Sequence, residues 1–217
     1  MPNEKFVCFD CVSQLPYLDT MGDGTDNELA RRYWLICPVE KAMSVIKYQS
    51  EGAASQLLHQ MKYGGMPLLC EDMGRLMVKS LPADVFQGVD ALIPVPITAD
   101  RRRTRGYNQA EHMCMGISKL TGIPMDCEAL VKLHNGVGQT GESWQERMKN
   151  IVGTIGLHPN AQHLQGRHLM IVDDIITSGA TTMECLKVLT GRADGYMSGT
   201  GIRGVRLSVL SLGLTVI

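Results

Sequence analysis

The sequence predicts an α/β protein: a twisted parallel sheet with helices on both faces, preceded by an N-terminal elaboration. Two observations carry this. Short apolar runs bounded by Pro, Gly or acidic residues recur at 42–48, 90–95, 168–172 and 206–212. Between them lie segments whose apolar residues repeat at helical spacing. Strands alternating with helices imply crossover connections, and crossovers imply parallel strands buried on both faces. A chain of 217 residues with 44% hydrophobic content is long enough and apolar enough for one such core plus an elaboration.

In chain order, residues 12–32 are polar and rich in Gly and Asp around Met21-Gly-Asp-Gly-Thr-Asp26, which predicts an irregular connector. Ala42 to Tyr48 is a short apolar run and a strand. Ala53 to Tyr63 places Ala54, Leu57, Leu58 and Met61 on one helical face, and Gly64-Gly65 stops it. Leu68 to Leu81 is a second helix, ended before Pro82. Asp90 to Val95 is a buried strand bounded by Pro94 and Pro96. Asn108 to Leu120 is helical, with Asn108 and Glu111 forming a capping-box pattern. His168 to Val172 is a strongly apolar strand, Ala180 to Leu189 a helix and Arg206 to Leu212 a last strand. The division expected is 1–50 for an N-terminal segment and 51–217 for the main domain. Ligands of parallel sheets sit beyond the carboxyl ends of the strands, so chemistry is expected after Val95 and Val172.

Bulk composition narrows the partners. A net charge of −1 gives no global field toward nucleic acid. Seven cysteines, Cys8, Cys11, Cys37, Cys70, Cys114, Cys127 and Cys185, are scattered and odd in number, unlike a disulfide framework. No apolar stretch approaches the roughly 18 residues of a membrane span, and the first ten residues lack the basic-then-apolar order of a signal peptide. The expectation is a soluble cytoplasmic protein without membrane attachment.

Leu169-Met-Ile-Val172 is followed by Asp173-Asp174, Ile175-Ile176 and Thr177-Ser-Gly-Ala-Thr181. Two adjacent acids at a strand tip point to opposite sides and can accept from vicinal hydroxyls, such as those of ribose. Gly179 permits close backbone approach. The free N–H groups of the following helix, with the hydroxyls of Thr177, Ser178 and Thr181, make an anion site that includes Ala180. Diol acceptors beside a phosphate cradle describe a ribose 5-phosphate site. After the other strand tip come Arg101-Arg-Arg-Thr-Arg105-Gly-Tyr-Asn-Gln109; arginine forks suit phosphate oxygens, and Arg101, Arg103 and Arg105 are the candidates for a pyrophosphate. Residues 136–142 read as a mobile polar segment able to close over a ligand, with Ser143 and Glu146 an N-cap pattern for the turn that follows.

These motifs together resemble a known family. The residues 169–182 resemble the phosphoribosyl pyrophosphate signature of type I phosphoribosyltransferases. Lys62-Tyr-Gly-Gly, Ile93-Pro-Val-Pro, Arg105-Gly-Tyr-Asn-Gln109 and Glu146-Arg147 with Asn150, in that order, resemble the ComF family of bacteria over about residues 8–214. The resemblance implies a type I phosphoribosyltransferase fold with a small hood built partly from the N-terminal segment. It implies attack of a nucleophile, often nitrogen, at C1 of phosphoribosyl pyrophosphate with loss of pyrophosphate. Asp173 and Asp174 would hold the ribose hydroxyls and any magnesium, and Thr177 to Thr181 the 5-phosphate. Arg101, Arg103, Arg105 and Lys132 would serve the pyrophosphate. Asp173, Asp174 and Arg147 are the catalytic candidates, with Lys62 and Tyr63 at the hood or acceptor. The acceptor is open, as is the choice between monomer and homodimer.

Two departures accompany the resemblance. ComF proteins commonly begin with two Cys-x-x-Cys pairs suited to zinc, whereas only Cys8-Phe-Asp-Cys11 is present here. Structural zinc wants four ligands, so bound zinc is not expected. Lys132 stands where the family usually carries Arg, which keeps the charge and loses the fork. Besides an active transferase, two alternatives remain: a non-catalytic competence protein handling single-stranded DNA, supported locally by Arg101 to Arg105 with Tyr107, and a sensor of phosphoribosyl pyrophosphate or a nucleotide. A glutamine amidophosphoribosyltransferase needs a glutaminase domain with an N-terminal cysteine, and none fits before residue 90.

Overall fold

A computed structural model describes residues 8–19, 21–34, 36–134, 144–193, 196–197 and 201–216. Along them run α1 (Phe9–Ser13), α2 (Glu28–Trp34), β1 (Ala42–Lys47), α3 (Ala53–Tyr63), α4 (Pro67–Ser80), β2 (Ala91–Pro94), α5 (Ala99–Arg105) and α6 (Gln109–Thr121). They continue with β3 (Leu130–Lys132), α7 (Trp144–Ile151), β4 (Ile155–Leu157), β5 (His168–Ile176), α8 (Ala180–Thr190), the short β6 (Arg192–Ala193) and β7 (Tyr196–Met197), and β8 (Arg206–Leu214).

The main sheet has the order β1-β8-β5-β2, and every pairing in it is parallel. Leu92 exchanges backbone hydrogen bonds of 2.9 Å with Pro124 and Asp126, which extends the sheet past β2. The step from β1 to β2 crosses the sheet one way and the step from β5 to β8 returns the other way. Right-handed crossovers therefore put their helices on opposite faces. Contacts agree: α4 packs on α6, which lies over β2 and β5, whereas α8 contacts β5, β4 and α7. Leu169 to Val172 are fully buried, as the continuous apolar run of a strand covered on both faces requires. The α/β architecture expected from the sequence is the one observed. Among the described residues no helix is long and apolar enough to cross a membrane.

Helices α4 and α6 approach so closely that glycine is required at both crossing points. A Cβ on Gly74 would stand 2.1 Å from the Met113 carbonyl oxygen, and one on Gly116 2.0 Å from that of Glu71. Removing the side chain lets the two backbones touch.

Several boundaries and elements differ from expectation. β5 does not end at Val172. Asp173, Ile175 and Ile176 stay paired with Ser211, Gly213 and Leu214 of β8, so the acids lie inside the strand. The expected connector 12–32 contains the start of α2, whose Leu29, Ala30 and Tyr33 are completely buried. Its Asn27 accepts from the Ala30 N–H at 2.9 Å. The arginine run forms α5, capped by Thr98 and closed by Gly106 at φ +83°. Asn108 caps α6 through the Ala110 N–H, but Glu111 turns to Arg102 rather than back to the Asn108 backbone, so the capping box is half formed. β1 belongs to the main sheet although it lies in the 1–50 segment.

Candidate functional site

The side-chain alternation of a strand sends adjacent residues to opposite faces. Asp174 faces the α3/α4 side, where its Oδ2 lies 3.3 Å from Lys62 Nζ. Asp173 faces α8, within electrostatic reach of Lys132, Tyr33 and Cys185. The two acids thus face opposite sides of the sheet, as the sequence implied, but from within β5 near its carboxyl end. Burial, and then the charge of Asp174, push the Asp173 carboxyl up to about 8. The Asp174 N–H donates to Asp173 Oδ1 at 2.9 Å.

Past β5 the backbone turns through Thr177-Ser178-Gly179. Gly179 takes φ +79°, a left-handed conformation natural to glycine. Helix α8 starts there with no side chain capping it. The first-turn N–H groups of a helix have no partner within the helix and carry its positive dipole end. Ser178 Oγ lies 3.4 Å from the Ala180 N–H. Thr177, Ser178 and Thr181 are part-exposed while Gly179 and Ala180 are buried, so the hydroxyls border the space into which the N–H groups point.

The loop is held from behind by α2. One Arg32 guanidinium donates to the carbonyls of Thr177 at 3.1 Å and Thr215 at 3.2 Å. Its neighbour Tyr33 is fully buried, and its hydroxyl would stand 3.4 Å from a Cβ placed on Gly179. Nothing in the motifs flagged α2. The buried spacing Leu29, Ala30, Tyr33 after Asn27 was the available signal.

The positive groups divide. Lys132 is half-buried on β3, where its Nζ donates to Thr154 Oγ1 at 2.7 Å. Burial lowers its pKa, the charge of Arg101 acts the same way, and those of Glu184 and Asp173 oppose it. Arg101 and Lys132 therefore lie together on the Asp173 side. Arg101 and Arg105 are one helical turn apart on α5 and share a face. Arg103 points away from that face, 82% exposed and 3.5 Å from Asp100, so α5 does not bring it to the others. Arg102 is held by Glu111.

The Arg-Gly-Tyr-Asn-Gln segment turns out to be a clip on the end of α3. The Met61 carbonyl, one of the orphan acceptors at a helix end, accepts from Tyr107 Oη at 2.7 Å and Gln109 Nε2 at 3.2 Å. Tyr107 also accepts from the Met66 N–H at 3.2 Å. Asn108 Nδ2 donates to the Val95 carbonyl at 3.0 Å, tying the clip to the tip of β2. Arg105 donates to Gln109 at 3.2 Å and lies 5.4 Å from the Tyr63 ring centroid. This clip fixes the turn that carries Lys62 toward Asp174. Tyr107 is buried, which removes it as a stacking surface; the exposed ring beside the arginines is Tyr63, 63% exposed.

Among the described residues no cluster of three or more His, Cys, Asp or Glu could hold a metal ion. Asp173 and Asp174 diverge, which fits a hard cation carried on a ligand's own oxygens and touched by one carboxylate. Cys8 and Cys11 bring their sulfurs to 3.4 Å, whereas Cys37 is buried beside Pro38 and Thr190. Arg147 stands in α7, but its side chain, like residues 135–143 with the expected closing segment and Ser143, lies outside the described residues.

Comparison with known proteins adds relatives. No family model matches the chain. DNA utilization protein YhgH of Shigella flexneri is 29% identical over 156 residues, 70% of this chain and 66% of that protein. Competence protein F of Haemophilus influenzae is 28% identical over 182 residues, 84% of this chain and 71% of that one. Competence protein ComFC of Bacillus subtilis is 25% identical over 52% of this chain and 44% of its own length. The match with YhgH thus spans just under two thirds of that protein. Among solved structures, the allosteric regulatory enzyme of purine biosynthesis is similar at TM-score 0.36 and 18% identity, over 64% of this chain and 25% of that one. The glutamine phosphoribosylpyrophosphate amidotransferase of B. subtilis is similar at 0.37 and 16%, over 70% and 30%. The resemblance to ComF proteins drawn from the motifs is borne out by the named relatives.

Proposed function

We propose that this chain, a relative of competence protein F, binds magnesium phosphoribosyl pyrophosphate at the tip of β5 and transfers its ribose 5-phosphate to a nitrogen acceptor. The observation that supports this most is the pair of diverging carboxylates running directly into an uncapped helix start with Gly179 at φ +79°. Thr177 to Thr181 would take the 5-phosphate and Asp173 with Asp174 the ribose hydroxyls. Arg101, Arg105 and Lys132 would neutralise the departing pyrophosphate. Magnesium carried on the ligand, held to the protein by Asp173 or Asp174, would supply charge neutralisation and keep most of its water, as its slow dehydration favours. The protein's part is orientation and electrostatic stabilisation of an oxocarbenium-like transition state. Lys62 holds Asp174 in place before ligand arrives, and Tyr63 offers an exposed face to the acceptor.

The test is pyrophosphate release from magnesium phosphoribosyl pyrophosphate against a panel of bases and amines. Release with at least one acceptor, lost in Lys132→Met and Arg101→Met, is expected. Binding without release from any acceptor would leave a sensor in place of a transferase.

A second reading has its own support. Arg101 and Arg103 on α5 are exposed, and Tyr63 stands beside Arg105. Exposed arginines with an aromatic ring suit single-stranded DNA, and relatives carry names for DNA utilization and competence. In that reading the chain would work with a DNA uptake machinery. Salt-dependent affinity for single-stranded DNA that falls in Tyr63→Ala but survives Asp173→Asn with Asp174→Asn would favour it.

A further inference from the structure

Buried polar groups almost always find a partner, because leaving one unsatisfied is costly. Among the described residues three buried side-chain polar atoms have none: Tyr33 Oη, His112 Nδ1 and Thr215 Oγ1. Two of the three belong to residues that adjoin the same short loop. Tyr33 is completely buried, and its hydroxyl faces Gly179 at the start of α8. Burial pushes the Tyr33 phenol up, and the nearby Thr182 hydroxyl opposes this, but the geometry between the two falls short of a hydrogen bond. Thr215 follows β8, and its N–H donates to the Ile176 carbonyl at 2.9 Å, one residue before the loop. Between the two, Arg32 spans the carbonyls of Thr177 and Thr215.

An unpaired hydroxyl facing a phosphate-type loop, with a second on a residue whose backbone adjoins it, has a physical explanation if the loop has a second arrangement. Closing around an anion turns the loop N–H groups toward the ligand and reorients its carbonyls, which then meet donors waiting on the other side. We propose that Tyr33 and Thr215 are positioning residues for a phosphate monoester: their hydroxyls gain hydrogen-bond partners in the loop 177–179 when it holds the anion, while Arg32 keeps the loop anchored to α2. This rests on the reading of 173–181 as a sugar-phosphate site and extends it. It makes the N-terminal segment, which reaches the loop through Arg32 and Tyr33, part of the affinity for phosphate.

The prediction separates from a merely structural role by sign. Deleting an orphan hydroxyl removes an unsatisfied group, so Tyr33→Phe and Thr215→Val are expected to leave the melting temperature of the ligand-free protein unchanged or higher. The same substitutions are expected to weaken binding of ribose 5-phosphate and of magnesium phosphoribosyl pyrophosphate roughly tenfold each, the weight of one hydrogen bond. Calorimetric titration of the full chain with both ligands reads this directly. Wild-type binding that either conservative variant reproduces unweakened overturns the role of that hydroxyl, and both together overturn the proposal. No binding of either ligand by the wild type overturns this inference together with the sugar-phosphate reading beneath it. A lower ligand-free melting temperature in both variants would show that the hydroxyls already have partners and would also overturn it.

Discussion

Substituting Gly116 with alanine sets two effects of opposite sign against each other. Helix propensity favours alanine over glycine by about 1 kcal/mol. The crossing with α4 opposes it, because the new methyl would stand 2.0 Å from the Glu71 carbonyl oxygen, 2.9 Å from its carbon and 3.0 Å from the Arg75 nitrogen. An ordinary carbon–oxygen contact is about 3.3 Å, so the helices must part by roughly 1 Å. All three atoms in the way are backbone, so no rotamer change relieves the clash. Overpacking of a tight core costs about 1–3 kcal/mol and sometimes more, and a backbone obstacle belongs at the upper end. The net expectation is a loss of about 2 kcal/mol, or roughly 4–8 °C in melting temperature for a domain of this size. Urea unfolding followed by far-ultraviolet circular dichroism measures it. A Gly116→Ala protein as stable as wild type, or more so, would refute the close crossing, and with it the account of how α6 and the Tyr107 clip are held.

Three further outcomes follow from the site. Asp173 is pushed up to about 8 by burial and by Asp174, so the native state holds a proton that the unfolded chain loses near its ordinary value of about 3.9. Stability is then fully present below that pH and declines as pH rises toward 8. Asp173→Asn should match wild type near pH 4 and exceed it at pH 8 by roughly 2 kcal/mol, discounted for partial exposure; equal stability at both pH values would contradict the assignment. Gly179→Ala should cost about 1–2 kcal/mol because a side chain is strained at that positive φ, and should abolish phosphate binding by displacing the loop; a variant that still binds ribose 5-phosphate at wild-type affinity tells against the cradle. Tyr107→Phe should lose about 1 kcal/mol from the hydrogen bond to Met61 and loosen the turn bearing Lys62; amide exchange at Met66, whose N–H donates to Tyr107, should speed up, and unchanged exchange would contradict the clip.

What the sequence revealed depended on how each segment earns its structure. Ala53 to Tyr63 was legible to the residue, because its apolar face is periodic and two glycines follow. The interior strand at Leu169 was legible because burial on both faces needs an unbroken apolar run. Its end was not, since Asp173 and Asp174 interrupt the run while the backbone ladder to β8 continues. Helix α5 buries no residue, so no periodicity existed to find it; only Thr98 and Gly106 mark its ends. The tandem acids and the glycine loop were recognisable because their chemistry is local. The Met61 clip and the Arg32 anchor join residues 46 and 145 positions apart, and no local pattern encodes such a pairing. Tyr107 shows the cost: adjacent to an arginine run it looked like a stacking ring, whereas the fold buries it and presents Tyr63 instead.

The central claim is that the tip of β5 holds a pyrophosphorylated ribose through both acids. Calorimetric titration of magnesium phosphoribosyl pyrophosphate into wild type and into the Asp173→Asn, Asp174→Asn double variant tests it. Saturable one-to-one binding by the wild type, lost in a double variant that melts cooperatively at or above the wild-type temperature at pH 8, is the predicted result. Absence of heat in the wild type, or equal affinity in the double variant, would contradict it.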